Sequence, residues 1–304
     1  MDWQEQIEAA GQRVAGHVRQ TPVLTLEVPG VGPVELKMEQ MQHSGSFKAR
    51  GAFNALLSGP VPASGVVAAS GGNHGAAVAF AAARLGLPAT IYVPQIAGPA
   101  KIALIRSQGA DCVVVPGFYA DAAALAAAHA ARTGAMQVHP YDAPATVAGQ
   151  GSLMREWESQ GLAADTVLIA VGGGGLIAGA LAWLGGRRKV VAVEPELAPT
   201  LNRALQEGPQ AKVEVGGIAA NALGASQIGA ICYGLAKGSV TSVLVDEAAI
   251  TATQQLLWGS LRQLVEPAGA VALAALTSGR YRPAKGERVA VLVCGANIAP
   301  DPFA

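Results

Sequence analysis

From about residue 64 onward, short apolar runs of β-prone residues alternate with longer stretches rich in Ala and Leu. Val66–Ala69, Thr90–Val93, Cys112–Val115, Val167–Val171, Val190–Val193, Ser242–Val245 and Val289–Val293 read as strands. They are continuously apolar rather than alternating, the pattern of parallel strands covered on both faces. Between them, Gly75–Leu85, Pro99–Ser107, Asp121–Arg132, Ala145–Ser159, Leu176–Leu184, Glu247–Leu261 and Ala268–Leu276 read as helices. Strand and helix in alternation predict an α/β fold on parallel sheets. The opening segment, Met1–Val14, reads as a polar helix rather than a basic-then-apolar leader. The helix that follows Tyr141 and Asp142 is expected where the chain crosses between two sheets.

One stretch imitates a membrane span: Val167 to Gly186 runs twenty residues without a charge. Seven of them are glycine, so a strand, a glycine loop and a buried helix account for it better. No membrane partner is expected. The chain has 304 residues, enough for one large domain or two moderate ones. Apolar residues make up 51% and charged residues 14%, a balance opposite to that of disordered chains and coiled coils. Lys and Arg equal Asp and Glu at 21 each, so nothing suggests a nucleic-acid partner. So sparse a charge fits a buried interface between subunits. Cys112, Cys232 and Cys294 are odd in number and widely spaced, neither a disulfide framework nor a metal motif. A reducing, cytoplasmic setting is expected.

In open parallel sheets, ligands bind beyond the C-terminal strand ends, and three segments are chemically unusual. After Val171 come Gly172, Gly173, Gly174 and Gly175, then Leu176. A strand feeding four glycines into a helix presents backbone N–H groups at a positive helix end, a cradle for phosphate. Gly173-x-Gly175-x-x-Ala178 also satisfies the dinucleotide fingerprint, with Glu194 about twenty residues on, so an NAD-binding dehydrogenase is an alternative. A packing-driven glycine turn is the plain one. The second segment is Ser44-Gly45-Ser46-Phe47-Lys48-Ala49-Arg50-Gly51. A buried lysine at a helix start favours its neutral amine, the form that condenses with a carbonyl; a solvated surface lysine is the plain alternative. The third, Ser70-Gly71-Gly72-Asn73-His74-Gly75, is a strand-to-helix turn suited to a carboxylate or a polar ring substituent. Taken alone, His74 reads as structural.

Together these segments, in this order and followed by VCGAN at 293–297, resemble the fold-type II pyridoxal-phosphate enzymes, in particular the threonine/serine dehydratase and serine racemase branch. QTPVL (20–24), ELKMEQ (35–40), VAGQGSL (147–153) and EPAGAVALAAL (266–276) extend the likeness over nearly the whole chain. The resemblance implies an α/β fold of two open, twisted parallel-sheet domains with helices on both faces, similar to tryptophan synthase β. Residues 1–60 and 143–304 would form the large domain and 61–142 the small one. It implies pyridoxal 5'-phosphate as cofactor, with Lys48 carrying it as a Schiff base and later taking the substrate Cα proton. Phe47 would pack on the cofactor ring, Asn73 would bond the ring's 3-oxygen, and Gly172 to Leu176 would hold the phosphate. Cys294 would stand near the ring nitrogen, while Ser70, Gly71, Asn73 and His74 would hold the substrate carboxylate. The implied activity is elimination from L-threonine, L-serine or a related β-hydroxy amino acid, giving a 2-oxo acid and ammonia, in a homodimer. A racemase is the alternative within the branch, but Gly71 stands where racemases carry a proton-donating Ser. A non-catalytic, ligand-sensing relative would have no need of Lys48. Glu194 and Ala198 match two of three cation-binding positions in related enzymes, but Thr200 replaces the Asp, so no metal is assigned. The related Ala-Asp pair is Ala219-Ala220 here, followed by Asn221.

Overall fold

The structure, a computed structural model, describes residues 2–298. Its strands are β1 (Val23–Val28), β2 (Gly32–Met38), β3 (Val66–Ala69), β4 (Ala89–Pro94), β5 (Asp111–Val115), β6 (Met136–Gln137), β7 (Thr166–Ala170), β8 (Lys189–Pro195), β9 (Val240–Val245) and β10 (Val289–Val293). Its helices are α1 (Trp3–Val14), α2 (Lys48–Leu57), α3 (Asn73–Arg84), α4 (Pro99–Ser107), α5 (Tyr119–Thr133), α6 (Pro144–Ser159), α7 (Gly175–Leu184), α8 (Thr200–Glu207), α9 (Ala220–Leu223), α10 (Ala230–Ala236), α11 (Glu247–Leu261) and α12 (Pro267–Thr277). The strands form two sheets, one ordered β1-β2-β10-β7-β8-β9 and one ordered β5-β4-β3-β6. All pairings are parallel except the β1–β2 hairpin at one edge.

Every expected strand is present, and Val66–Ala69 and Val289–Val293 keep their expected bounds. The hairpin was not among the expected strands. Pro22, Pro29 and Pro33 interrupt its apolar run, and β1 exposes alternate residues as an edge strand can. Helix starts follow local chemistry. Asp2 accepts from the N–H groups of Gln4 and Glu5 at the start of α1, and Asp246 caps α11 through Ala249. Pro99, Pro144 and Pro267 sit in the first turns of α4, α6 and α12, where no amide hydrogen is needed. The charge-free run at 167–186 resolves into the end of β7, the glycine turn, α7 and its closing glycines. No helix among the described residues is long and apolar enough to cross a membrane.

The main core lies around the six-stranded sheet. There β7 and β10 are wholly buried, and α12 is buried from Ala268 to Leu276. A second core covers one face of the four-stranded sheet and takes in Ala49, Ala52, Phe53 and Leu56 of α2 together with α3. Helix α2 therefore lies at the seam, packed on both α6 and α3. The chain passes between the sheets twice, before β3 and again through residues 138–143. Loops leaving the C-terminal ends of β2, β3, β7 and β10 converge on that seam.

Candidate active site

Lys48 opens α2 and is half-buried. The loop before it is stitched to the loop after β10: Phe47 N donates to Cys294 O at 3.2 Å, Ala296 N to Gly45 O at 2.9 Å, and Ser46 bridges Gly295. Gly45 is needed here, since its φ is +74° and a Cβ would lie 2.3 Å from Asn297 Oδ1. The Lys48 amine donates to Pro140 O at 2.6 Å and lies 5.1 Å from the centre of the half-buried Phe47 ring. Burial pushes its pKa down to about 8. At neutral pH a useful fraction of the amine is therefore free of its proton.

The turn after β3 reaches the same place. Asn73 Nδ2 donates to Glu266 Oε1 at 2.5 Å, and Asn73 Oδ1 accepts from Asn297 Nδ2 at 2.8 Å, which fixes the amide. His74 Nε2 donates to Val138 O at 2.9 Å, the only sense a carbonyl permits. Burial, then the nearby Lys48 charge, pushes the His74 pKa down to about 3, so the ring is neutral. Ser70 Oγ accepts from Gly72 N at 3.1 Å. Gly71 packs tightly: a Cβ there would sit 2.4 Å from Ala97 Cβ. Cys294 is buried at the end of β10 and donates through Sγ to Ala268 O at 3.4 Å; burial pushes its thiol pKa up, so it carries no charge.

The four glycines form the remaining wall. Gly174 has φ +92°, and a Cβ on it would lie 2.4 Å from Cys232 Sγ. Cβ atoms on Gly173 and Gly175 would meet Tyr141, and one on Gly172 would meet the backbone of Leu223. The first amide that α7 itself uses is that of Ala178, which donates to Gly174 O at 2.9 Å. The preceding N–H groups at this helix end have no acceptor within the helix. A bare, positive helix end beside an amine of lowered pKa is the donor set that a phosphorylated aldehyde requires, so the residues present fit pyridoxal phosphate.

The structure thus brings Phe47, Lys48, Ser70, Gly71, Asn73, His74, the Gly172–Leu176 turn and Cys294 to one cleft. Glu194 is not among them. Its buried carboxylate accepts from Leu201 N at 2.6 Å and Asn202 N at 2.8 Å, capping α8, and burial raises its pKa to about 7. Glu194 is 0% exposed, so its carboxylate is closed to a ribose hydroxyl, which removes the support for the dinucleotide alternative. Ala198 is buried beside it, and Thr200 donates to Ala225 O at 2.6 Å. Among the described residues no group of three or more His, Cys, Asp and Glu side chains could hold a metal.

Sequence reading assigned no role to Glu266, Asn297, Pro140, Tyr141 or Lys101. Glu266 carried a signal in the acid placed directly before a proline-led helix. Burial raises its pKa to about 7, against the hydrogen bond from Asn73 and the charge of Lys101. Lys101 carried another, a lysine four residues before Ile105 on the inward face of α4.

Known proteins with similar sequences agree with this geometry. The chain is 37% identical to a phenylserine dehydratase of Ralstonia pickettii, over 96% of this chain and 92% of that protein. It is 35% identical to an L-threonine ammonia-lyase of Geobacter sulfurreducens, over 96% and 75% respectively. The structure of maize serine racemase superposes with a TM-score of 0.89 at 28% identity, covering 98% of this chain and 94% of that one. The sequence model for the family described as "Pyridoxal-phosphate dependent enzyme" matches residues 14–295, and on that match, with the amine and the anion cradle in one cleft, the chain belongs to the pyridoxal-phosphate dependent enzymes.

Proposed function

We propose that this enzyme eliminates the β-hydroxyl of L-threonine, L-serine or a related β-hydroxy amino acid, yielding a 2-oxo acid and ammonia. The observation that carries the reading is the buried Lys48 amine, its pKa near 8, facing the turn built by Ser70, Gly71, Asn73 and His74. When bound, pyridoxal phosphate supplies a carbonyl for that amine and a conjugated ring that takes up charge from Cα. The N–H groups from Gly172 to Leu176 would hold its phosphate, Phe47 would pack on the ring, and Asn73 would orient it. Lys48 would anchor the cofactor, and its free amine would be the base that takes the Cα proton. The Ser70–His74 turn orients the substrate carboxylate, and neutral His74 holds that turn rather than moving a proton. Cys294 offers the ring nitrogen a neutral thiol. A carboxylate there would keep the nitrogen protonated and draw more charge into the ring. The weaker sink would favour loss of a β-leaving group over a long-lived charge at Cα.

Racemisation needs a second proton donor on the face opposite Lys48. Gly71 supplies none, and a larger residue there would run into Ala97. Elimination therefore outranks racemisation, and rapid formation of D-serine from L-serine would reverse that order. The two sheets support a division into a large domain of 1–60 and 143–304 and a small one of 61–142, with α2 at the seam. Two copies assemble in this reading. Exposed Met41 and Leu264, next to Gln40 and Gln263, which are bonded at 3.3 Å, and exposed Trp258 on α11 support that. Three free cysteines fit a cytoplasmic setting. The test is 2-oxo acid release by the holoenzyme across a panel of β-hydroxy amino acids. Release from at least one supports the reading, and none from any of them ends it.

A further inference from the structure

Lys101 lies on the inward side of α4 with 6% of its surface exposed. Its Nζ is 4.0 Å from the point a Cβ on Gly72 would occupy, so it reaches the turn after β3. It also lines a cavity of about 40 Å³, together with Asn221, Glu266 and Asn297. Among the described residues it has no hydrogen-bond acceptor and takes part in no salt bridge. Burying a cation without a partner is costly, and folds retain such a group where a ligand completes it. Glu266 lines the same cavity and draws on the Lys101 charge, but it forms no salt bridge with Lys101, and its Oε1 is already bound by Asn73. The 218–222 side of the cavity offers no acid.

The turn itself lacks positive charge. Ser70 and Asn73 are neutral, the Asn73 amide is committed to Glu266 and Asn297, and His74 carries no proton to spare. A carboxylate brought here into partial burial is held more strongly by a cation beside the N–H groups than by N–H groups alone. We infer that Lys101 is a substrate-binding residue whose ammonium pairs with the α-carboxylate of the amino acid lying on the Ser70–His74 turn. The inference rests on the reading that this turn receives the substrate carboxylate. Burial pushes the Lys101 amine pKa down while Glu266 pulls it back up, so an arriving anion strengthens its charged form.

The test uses the holoenzyme as wild type, Lys101→Met and Lys101→Arg, titrated calorimetrically with L-alanine and with L-alaninamide. L-alanine has no leaving group, and its amide has no carboxylate. Lys101→Met should weaken L-alanine by about tenfold to a hundredfold, the worth of a charged hydrogen bond. L-alaninamide should stay within about twofold, and Lys101→Arg should recover most of the loss. With L-threonine, KM should rise by a similar factor while kcat falls less. The melting temperature of the Met variant should not drop, since an uncompensated charge has been removed. Unchanged L-alanine affinity overturns the inference. So does equal loss of L-alanine and its amide, which marks a structural role, or loss confined to substrates with a second carboxylate, which places Lys101 at the side chain. If the Met variant does not fold, Lys101→Gln and Lys101→Arg carry the same comparison. L-alanine binding needs no elimination, so a wild type that binds it through Lys101 yet forms no 2-oxo acid overturns only the dehydratase reading.

Discussion

Beneath α2, the side chains of Lys37, Glu39, Arg50 and Glu156 are enclosed, and each has an opposite charge close by. Arg50 meets Glu39 at 2.6 Å and Glu156 at 2.9 Å, and Lys37 meets Glu156 at 2.6 Å. Thr21, Gln42 and Gln160 fill the remaining hydrogen-bonding positions. In the cleft on the other side of the same helix, Lys48, His74, Lys101 and Glu266 have no opposite charge in such contact among the described residues. Lys48 and His74 bond to carbonyl oxygens and Glu266 to an amide. The physical result differs accordingly. Burial opposes the Arg50 charge, yet Glu39 and Glu156 raise its pKa overall, whereas the cleft groups are driven toward neutrality: Lys48 to about 8, Glu266 to about 7 and His74 to about 3. Complete pairing makes a rigid floor, and incomplete pairing makes groups that respond to what binds.

The comparison breaks most readily at Lys48. Lys48→Ala should cut 2-oxo acid release by at least about 10³-fold with little change in melting temperature; appreciable turnover would refute its assignment. On the floor the effects should reverse. Arg50→Met leaves Glu39 buried without its partner and should destabilise the holoenzyme by about 3–5 kcal/mol in thermal unfolding. A melt unchanged from wild type would show that the network is not structural. Gly174→Ala comes next, since a side chain at φ +92° is strained and would strike Cys232. A loss of about 1–3 kcal/mol is expected, together with weaker cofactor uptake in an absorbance titration.

A pH experiment sharpens the contrast further. The folded Glu266 pKa lies above its ordinary 4.5, so between about 4.5 and 7 the folded state holds a proton that the unfolded state releases. Its contribution to stability therefore declines as pH rises through that window. Glu266→Gln still accepts from Asn73 but does not titrate. Its melting temperature relative to wild type should climb from pH 5 to pH 8, and a flat difference would contradict the raised pKa. The smallest effect belongs to the exposed pair Arg203–Glu207, where Glu207→Gln should cost no more than about 0.5 kcal/mol by denaturant melts.

How far the sequence could be read follows the same division. Central strands such as Val289–Val293 are legible because both of their faces are covered, so the apolar run is unbroken. The β1–β2 hairpin is not, because its pattern mixes edge exposure with prolines. Helices α8 to α10 were missed as well, being short and placed where strand–helix alternation lapses. Within the cleft, Lys48, Asn73 and the glycine turn stand in compact motifs. Glu266, Asn297, Pro140 and Lys101 are single residues from four distant segments, and only folding makes them neighbours.

The stretch leaving β6 touches nearly everything in that cleft. Val138 receives the His74 ring, Pro140 receives the Lys48 amine, and Tyr141 closes over Gly173 and Gly175. It is also one of the two passages between the sheets among the described residues. Any rotation of the smaller sheet is therefore transmitted at once to amine, turn and anion cradle. An engineer who treats these as three independent dials will find that turning one drags the other two.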